Sequence, residues 1–121
     1  MDFKENKAIY LQIAERICDE ILLDKHPETE RIPSVREYAS IVEVNFNTVM
    51  RSFESLQSQE IIYNKRGIGY FVADGAKNRI KEMRKNNFLK SDINDFFKQI
   101  YTLDITMEDV MKMYEEYKKN Q

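Results

Sequence analysis

The sequence predicts a mainly α-helical fold with one small β-hairpin (α+β), and three observations carry that expectation. Apolar residues recur at helical spacing, first of all in Ile9, Ile13, Ile17 and Ile21. Two short helix patterns, opened by Pro33-Ser34-Val35-Arg36-Glu37 and by Asn45-Phe46-Asn47-Thr48-Val49, stand only a turn apart. Two strand-like runs, Ile61-Ile62-Tyr63 and Tyr70-Phe71-Val72, then flank the glycine-bearing segment 64–69. Two closely spaced helices followed by a basic hairpin is the order of a winged helix-turn-helix.

The isoleucine stripe, with Ala14 and Leu22 beside it, predicts a helix over residues 8–23 with one buried face. Lys25-His26-Pro27 is expected to end it, because proline lacks an amide and restricts the residue before it. Glu28-Thr29-Glu30-Arg31 reads as a polar loop. Ser34 and Glu37 then fit a capping box, and Val35, Tyr38, Ala39 and Val42 form the inward face of the helix it opens. Glu43-Val44-Asn45 is the turn, with Asn45 the N-cap of the following helix. That helix turns Val49, Phe53 and Leu56 inward and shows Asn47, Thr48, Arg51, Ser52 and Ser55 on its remaining face.

Asp74-Gly75 closes the winged domain, giving a division into residues 1–75 and a helical tail, 76–121. The tail carries Ile80, Met83, Phe88 and Leu89, then Ile93, Phe96, Phe97, Ile100, Tyr101 and Leu103, again at helical spacing. Thr106-Met107-Glu108-Asp109 repeats the capping-box pattern ahead of Val110, Met113, Tyr114 and Tyr117. Asn86-Asn87 lowers helix propensity without forbidding a continuous helix, so continuity there stays open.

The net charge of −2 hides an uneven distribution. Residues 1–30 balance at −4, residues 31–90 at +5 and residues 91–121 at −3. The basic block coincides with the two helices and the hairpin, and local positive surface is what a nucleic acid responds to. One cysteine, Cys18, excludes an intrachain disulfide and a cysteine-rich zinc site, and His26 is the only histidine. No acid–base or metal site can be assembled from that inventory, so neither an enzyme nor a cofactor or metal is expected. Cys18 reads as a packing thiol and His26 as a solvated turn residue. Apolar runs fall far short of the ~20 residues of a membrane span. Met1-Asp2-Phe3-Lys4-Glu5 lacks the grading of a signal peptide, so a cytoplasmic location is expected.

The residue types on the exposed faces suit duplex DNA. The first turns of a helix in the major groove reach base edges, and Asn47, Thr48 and Arg51 hold those positions. Asn pairs with adenine, Arg with guanine, and Thr offers a hydroxyl or a methyl. Asn45 and Ser52 complete that candidate surface. Arg36 and the Ser34 end of the preceding helix suit a phosphate. Lys65 and Arg66 lie where a wing tip lays cations on the minor groove, and Gly67 and Gly69 let backbone come close. Taken singly, each of these is also an ordinary surface, capping or turn residue. Their combination favours a double-stranded DNA partner over the rival reading, a winged-helix protein-interaction module without DNA binding.

The tail aromatics exceed what a short helical hairpin buries on itself. Phe88, Ile93, Phe96, Phe97, Ile100, Tyr101 and Tyr114 are therefore expected to pair two copies, although the tail could instead pack back on the winged domain. A symmetric homodimer would present two readers to an inverted repeat.

The run from Ala8 to Ala73 resembles the GntR family of bacterial transcriptional regulators. Ile9-Tyr10-Leu11-Gln12-Ile13, Arg31-Ile32-Pro33-Ser34-Val35-Arg36-Glu37, Val44-Asn45-Phe46-Asn47-Thr48-Val49 and Lys65-Arg66-Gly67-Ile68-Gly69-Tyr70-Phe71-Val72 carry the likeness. The short two-helix tail resembles the YtrA-type branch, whose members dimerise and often control neighbouring ABC-transporter genes. The resemblance implies DNA contacts by Arg36, Asn47, Thr48 and the wing from Gly67 to Gly69. It implies a regulator, expected here to be a repressor. Ala8 stands where proline is usual, Thr29, Glu60 and Asp104 where glycine is common, and Phe46 where proline or arginine is often found. The tail is too short for an appended ligand-binding domain, so a small-molecule effector would have to bind the tail or the dimer interface. None is identified by the sequence.

Overall fold

The computed structural model describes residues 6–121, and the signal-peptide reading of residues 1–5 lies outside them. Among the described residues, helices α1 (Ile9–Leu22), α2 (Val35–Val42) and α3 (Phe46–Ser58) precede strands β1 (Ile62–Lys65) and β2 (Gly69–Val72). Helices α4 (Ala76–Asn87), α5 (Ile93–Thr102) and α6 (Met107–Lys119) follow, with a π-helical turn at Phe88–Asp92 between α4 and α5. The mainly α fold with a small hairpin is what the sequence predicts.

The chain forms two compact units, Met1–Glu82 and Met83–Gln121. Residues 1–75 and 76–121 are the parts divided by composition. Ala76 and Ile80 of α4 belong to the first unit, and both are buried.

In the first unit, α3 packs on α1, α2 and β1. Phe53 is fully buried at the centre, with the Tyr70 ring edge-on at 5.0 Å and the Tyr38 ring at 6.2 Å. Ile13, Ile17 and Ile21 reach this core as the stripe predicts, and Cys18 is buried with them. Ile9, in the first turn of α1, stays exposed. The stop of α1 also differs from expectation. Asp24 takes a left-handed φ of 61°, and the amide of Lys25 donates to the carbonyl of Glu20 at 2.9 Å. This paired-carbonyl ending closes the helix before Pro27 is reached. The capping box at Ser34 and Glu37 is present in full, both of its bonds at 3.1 Å.

His26 is not a solvated residue. Its Nε2 lies 3.2 Å from Glu20 Oε1, the same oxygen that accepts from Tyr38 Oη at 2.9 Å. Glu20 thereby ties α1 to the loop after it and to α2. Burial, and then the Glu20 charge, push the Tyr38 phenol well above its ordinary value.

The hairpin pairs Ile62 with Val72 and Lys65 with Gly69, antiparallel. The stretch read as a loop, Glu28-Thr29-Glu30-Arg31, is partly strand-like. Thr29 and Ile32 donate to the carbonyls of Val72 and Tyr70, and Val72 donates to Glu30. Residues 29–32 thus run along the free edge of β2, with Arg31 bridging Phe71.

In the second unit the backbone stays helical through Asn87, with a π-helical turn absorbing the change of residue spacing. Thr106 caps α6 by accepting from the Asp109 amide at 3.1 Å. The return bond of a full capping box is absent among the described residues. No residue of α5 or α6 is buried.

Candidate nucleic-acid interface

The exposed side of α3 begins at its cap. Asn45 Oδ1 accepts from the Asn47 amide at 2.8 Å, so its side chain closes the helix end, with its amino group left at the surface. Asn47 and Arg51 are exposed and Thr48 is half-buried, all on the side away from Phe53. The Arg51 guanidinium lies 4.0 Å from the centre of the Tyr10 ring. Ala8, Ile9, Tyr10, Asn47, Thr48 and Arg51 line one open hollow of about 430 Å³. Phe46, the first residue of α3, is exposed beside Asn47.

Ser52 must be removed from this surface. It is fully buried, and its Oγ donates to the carbonyl of Tyr10 at 2.6 Å. The reason was present in the spacing: 49, 52, 53 and 56 make one i, i+3, i+4, i+7 face, and Ser52 sits on it. A small hydroxyl satisfies its bond against α1 and keeps the two helices close.

At the start of α2, Ser34 and the exposed Arg36 occupy the first turn. Glu37 is bound into the cap, and the Ser34 amide followed by the Ser34 hydroxyl holds its carboxyl below the ordinary range.

The wing turns through Lys65-Arg66-Gly67-Ile68, closed by the Ile68 amide donating to the Lys65 carbonyl at 2.9 Å. Gly67 stands third in that turn with φ +80°, a position that favours glycine. Arg66 and Gly67 are exposed at the tip. Lys65 is not at the tip: it ends β1, and its ammonium lies 4.6 Å from the centre of the Phe71 ring. Tyr63 stacks on the same ring at 5.7 Å, so Lys65 sits on an aromatic face of the hairpin.

Arg31 is a cation that the sequence reading passed over as a loop residue. Its side chain crosses Gly69 so closely that a Cβ at Gly69 would meet Arg31 Nε at 2.9 Å. The flexible Arg31 side chain can give way, so what favours glycine at 69 is its own φ of 138°. Arg31, Lys65 and Arg66 lie around the wing, and Arg31 is near enough to Glu37 to help keep it ionised. Among the described residues no group of three or more His, Cys, Asp or Glu is placed to hold a metal ion. No helix of the described residues is long and apolar enough to cross a membrane.

The tail residues singled out for pairing are all at least partly exposed. Phe88, Phe96, Phe97, Tyr101 and Tyr114 are exposed, while Ile93 and Ile100 are half-buried. Phe96, Ile100, Ile105, Val110, Tyr114 and Tyr117 border an apolar groove of about 710 Å³.

Comparison with known proteins agrees with this geometry. The family model described as "Bacterial regulatory proteins, gntR family" matches residues 9–72. A crystal structure of a GntR-family transcriptional regulator from Bacteroides thetaiotaomicron is 64% identical, with a TM-score of 0.85 over 93% of this chain and 99% of that one. The HTH-type transcriptional regulator YhcF of Bacillus subtilis is 32% identical across 91% of this chain and 89% of its own length. The HTH-type transcriptional repressor YtrA of the same organism is 26% identical across 96% and 88%. The chain belongs to the gntR family of bacterial regulatory proteins and is a DNA-binding transcriptional regulator built on a winged helix-turn-helix.

Proposed function

We propose that the chain is a homodimeric repressor that reads an inverted-repeat operator and controls a neighbouring transporter operon from the cytoplasm. In this reading α3 lies in the major groove, where Asn47, Thr48 and Arg51 meet base edges. Asn45, Ser34 and Arg36 hold the phosphates on either side of it. Arg66, Gly67 and Gly69 approach the minor groove, with Lys65 and Arg31 behind them. The tail joins two such readers through Phe88, Ile93, Phe96, Phe97, Ile100, Tyr101 and Tyr114.

The observation that carries the dimer is the contrast in burial. The first unit completes its own core, whereas α5 and α6 have no fully buried residue and expose many aromatic and aliphatic side chains. The likeness to the repressor YtrA, which extends over the tail, supports the sign of regulation.

Gel shifts on the DNA upstream of the protein's own operon test the reading. Binding should fall steeply with salt, because phosphate contacts release counterions. Binding that survives Arg36→Ala, Asn47→Ala and Arg66→Ala combined would sink the assigned surface. A monomer at all concentrations in sedimentation equilibrium would remove the dimer. Binding without loss of reporter transcription would remove the repressor.

A further inference from the structure

We infer that Tyr10 is a positioning residue for DNA reading, and that its ring holds the Arg51 guanidinium in place so that α1 shares control of base specificity with α3. This deepens the proposed reading surface and rests on it. The Arg51 guanidinium stands 4.0 Å from the ring centre. Among the described residues no carboxylate lies within salt-bridge distance of Arg51, so the ring is its structural partner.

An arginine reads guanine through two parallel N–H groups at the edge of a planar fork. A contact made through the face of the fork leaves those N–H groups available, whereas a carboxylate partner would occupy them. A long side chain on a helix surface samples many rotamers, and a ring on one face limits them. The Tyr10 ring lies against the Arg51 guanidinium, and among the described residues no carboxylate pairs with it. The side chain is therefore restrained without an ion pair occupying its hydrogen-bonding edge.

The ring is itself held. The carbonyl of Tyr10 accepts from Ser52 Oγ at 2.6 Å, and Ser52 is the next residue after Arg51. One turn of α3 thus anchors the backbone of Tyr10 and receives its ring. Gln12 Nε2 donates to the Lys7 carbonyl at 2.8 Å, fastening the chain just before α1. Tyr10, Asn47, Thr48 and Arg51 line the same hollow, so the restrained fork is beside the other two base-reading candidates.

The test uses the full chain and fluorescein-labelled duplexes, first the sequence the wild-type protein enriches from a random pool, then its single-base-pair variants. A cation–π contact at an exposed site corresponds to about a two- to fivefold change in an equilibrium constant. Tyr10→Leu should weaken binding by that factor per half-site. It should flatten discrimination at the same base pair that Arg51→Ala flattens, and add nothing to Arg51→Ala when the two are combined. Tyr10→Phe, which keeps the ring, should restore both affinity and profile. Thermal melting checks each variant for folding, and Tyr10→Met replaces Tyr10→Leu if the latter does not fold. Unchanged binding, a uniform loss with the profile intact, or losses additive with Arg51→Ala would each overturn the inference. Enrichment of no sequence by the wild type would remove the reading surface itself, and this inference with it.

Discussion

The two compact units of this chain handle their apolar side chains in opposite ways. The winged unit buries Phe53, the isoleucines of α1, Ile61, Ile62, Val72 and Ile80, and its polar groups find partners inside the same unit. The tail carries comparable side chains on regular helices, yet Phe97, Tyr101 and Tyr114 are 45%, 84% and 54% exposed. Helical periodicity is equally clear in both. Amphipathic spacing therefore states that a face will be covered, and only the surplus of large side chains over available neighbours says whether the cover is intramolecular. The winged unit covers its own apolar faces and the tail leaves its own exposed, and on that contrast the proposed pairing of two tails rests.

The largest effect separating the two should come from the core. Phe53→Ala should cost about 3–5 kcal/mol, a large part of the ~5–15 kcal/mol that holds a small domain together. Urea denaturation should show that loss at every protein concentration. Phe97→Ala should show a loss that grows as the protein is diluted, because what it weakens is association. Equal, concentration-independent losses would erase the distinction between the units.

Association itself comes next. Ile100→Glu together with Tyr101→Glu should leave the circular dichroism of the winged unit intact and shift sedimentation toward monomer. Affinity for a two-half-site duplex should then fall by ~100-fold or more, because the second half-site is no longer delivered at high effective concentration. Full affinity from a monomer would show that one reader suffices.

Within the winged unit, Arg66→Ala and Arg31→Ala should each weaken binding about uniformly across sequences and lower the salt slope by roughly one per half-site. An Arg31→Ala variant with the wild-type slope would return Arg31 to a purely structural role beside Gly69.

How much of this could be seen beforehand depended on whether the signal was local. The capping box at Ser34 and Glu37, the buried faces of α1 and α3 and the two strands were legible because each is set by residues a few positions apart. Ser52 was legible too, but its polarity outweighed its spacing, and a serine with a carbonyl partner at 2.6 Å belongs inside. The pairing of residues 29–32 with β2, and with it the position of Arg31 over Gly69, joins segments some forty residues apart in the chain and leaves no local mark. The same holds for the Tyr10 ring under Arg51, whereas Tyr38 reaches Glu20 from a separate helix and His26 joins it from the loop after α1, a meeting that no periodicity marks.

A smaller effect concerns acid. Glu28 accepts from the amides of Gly75 and Lys77, at 2.9 and 3.2 Å, and these bonds hold its carboxyl below its ordinary value of 4.5. A depressed carboxylate contributes stability that is present above its unfolded value and lost as pH falls through its folded one. The unfolding midpoint should therefore drop as pH falls below about 4.5, and Glu28→Gln should flatten that part of the profile. An unchanged acid limb would deny these two bonds a role at the start of α4.

The smallest differences come from strained backbone, and they bear most directly on the contrast between units. Thr29, Glu60 and Asp104, where glycine is common in the family, all take left-handed φ, at 69°, 60° and 56°. Thr29 is β-branched, so Thr29→Gly should yield the larger relief, about 1 kcal/mol. Glu60 and Asp104 form a matched pair, because each follows a helix closed by the same type of bond. The Ile61 amide donates to Leu56 at 3.0 Å, and the Ile105 amide to Ile100 at 2.9 Å. Replacing either with glycine should gain ~0.5–1 kcal/mol after the entropy cost of glycine. In Glu60→Gly the gain should appear in the urea midpoint while the dimer dissociation constant stays fixed, since the winged unit folds on its own core. In Asp104→Gly two protomers gain at once, and if the tail orders only on pairing the dimer should tighten roughly five- to thirtyfold. A tail already stable alone would keep the gain to itself, and the dissociation constant would not move.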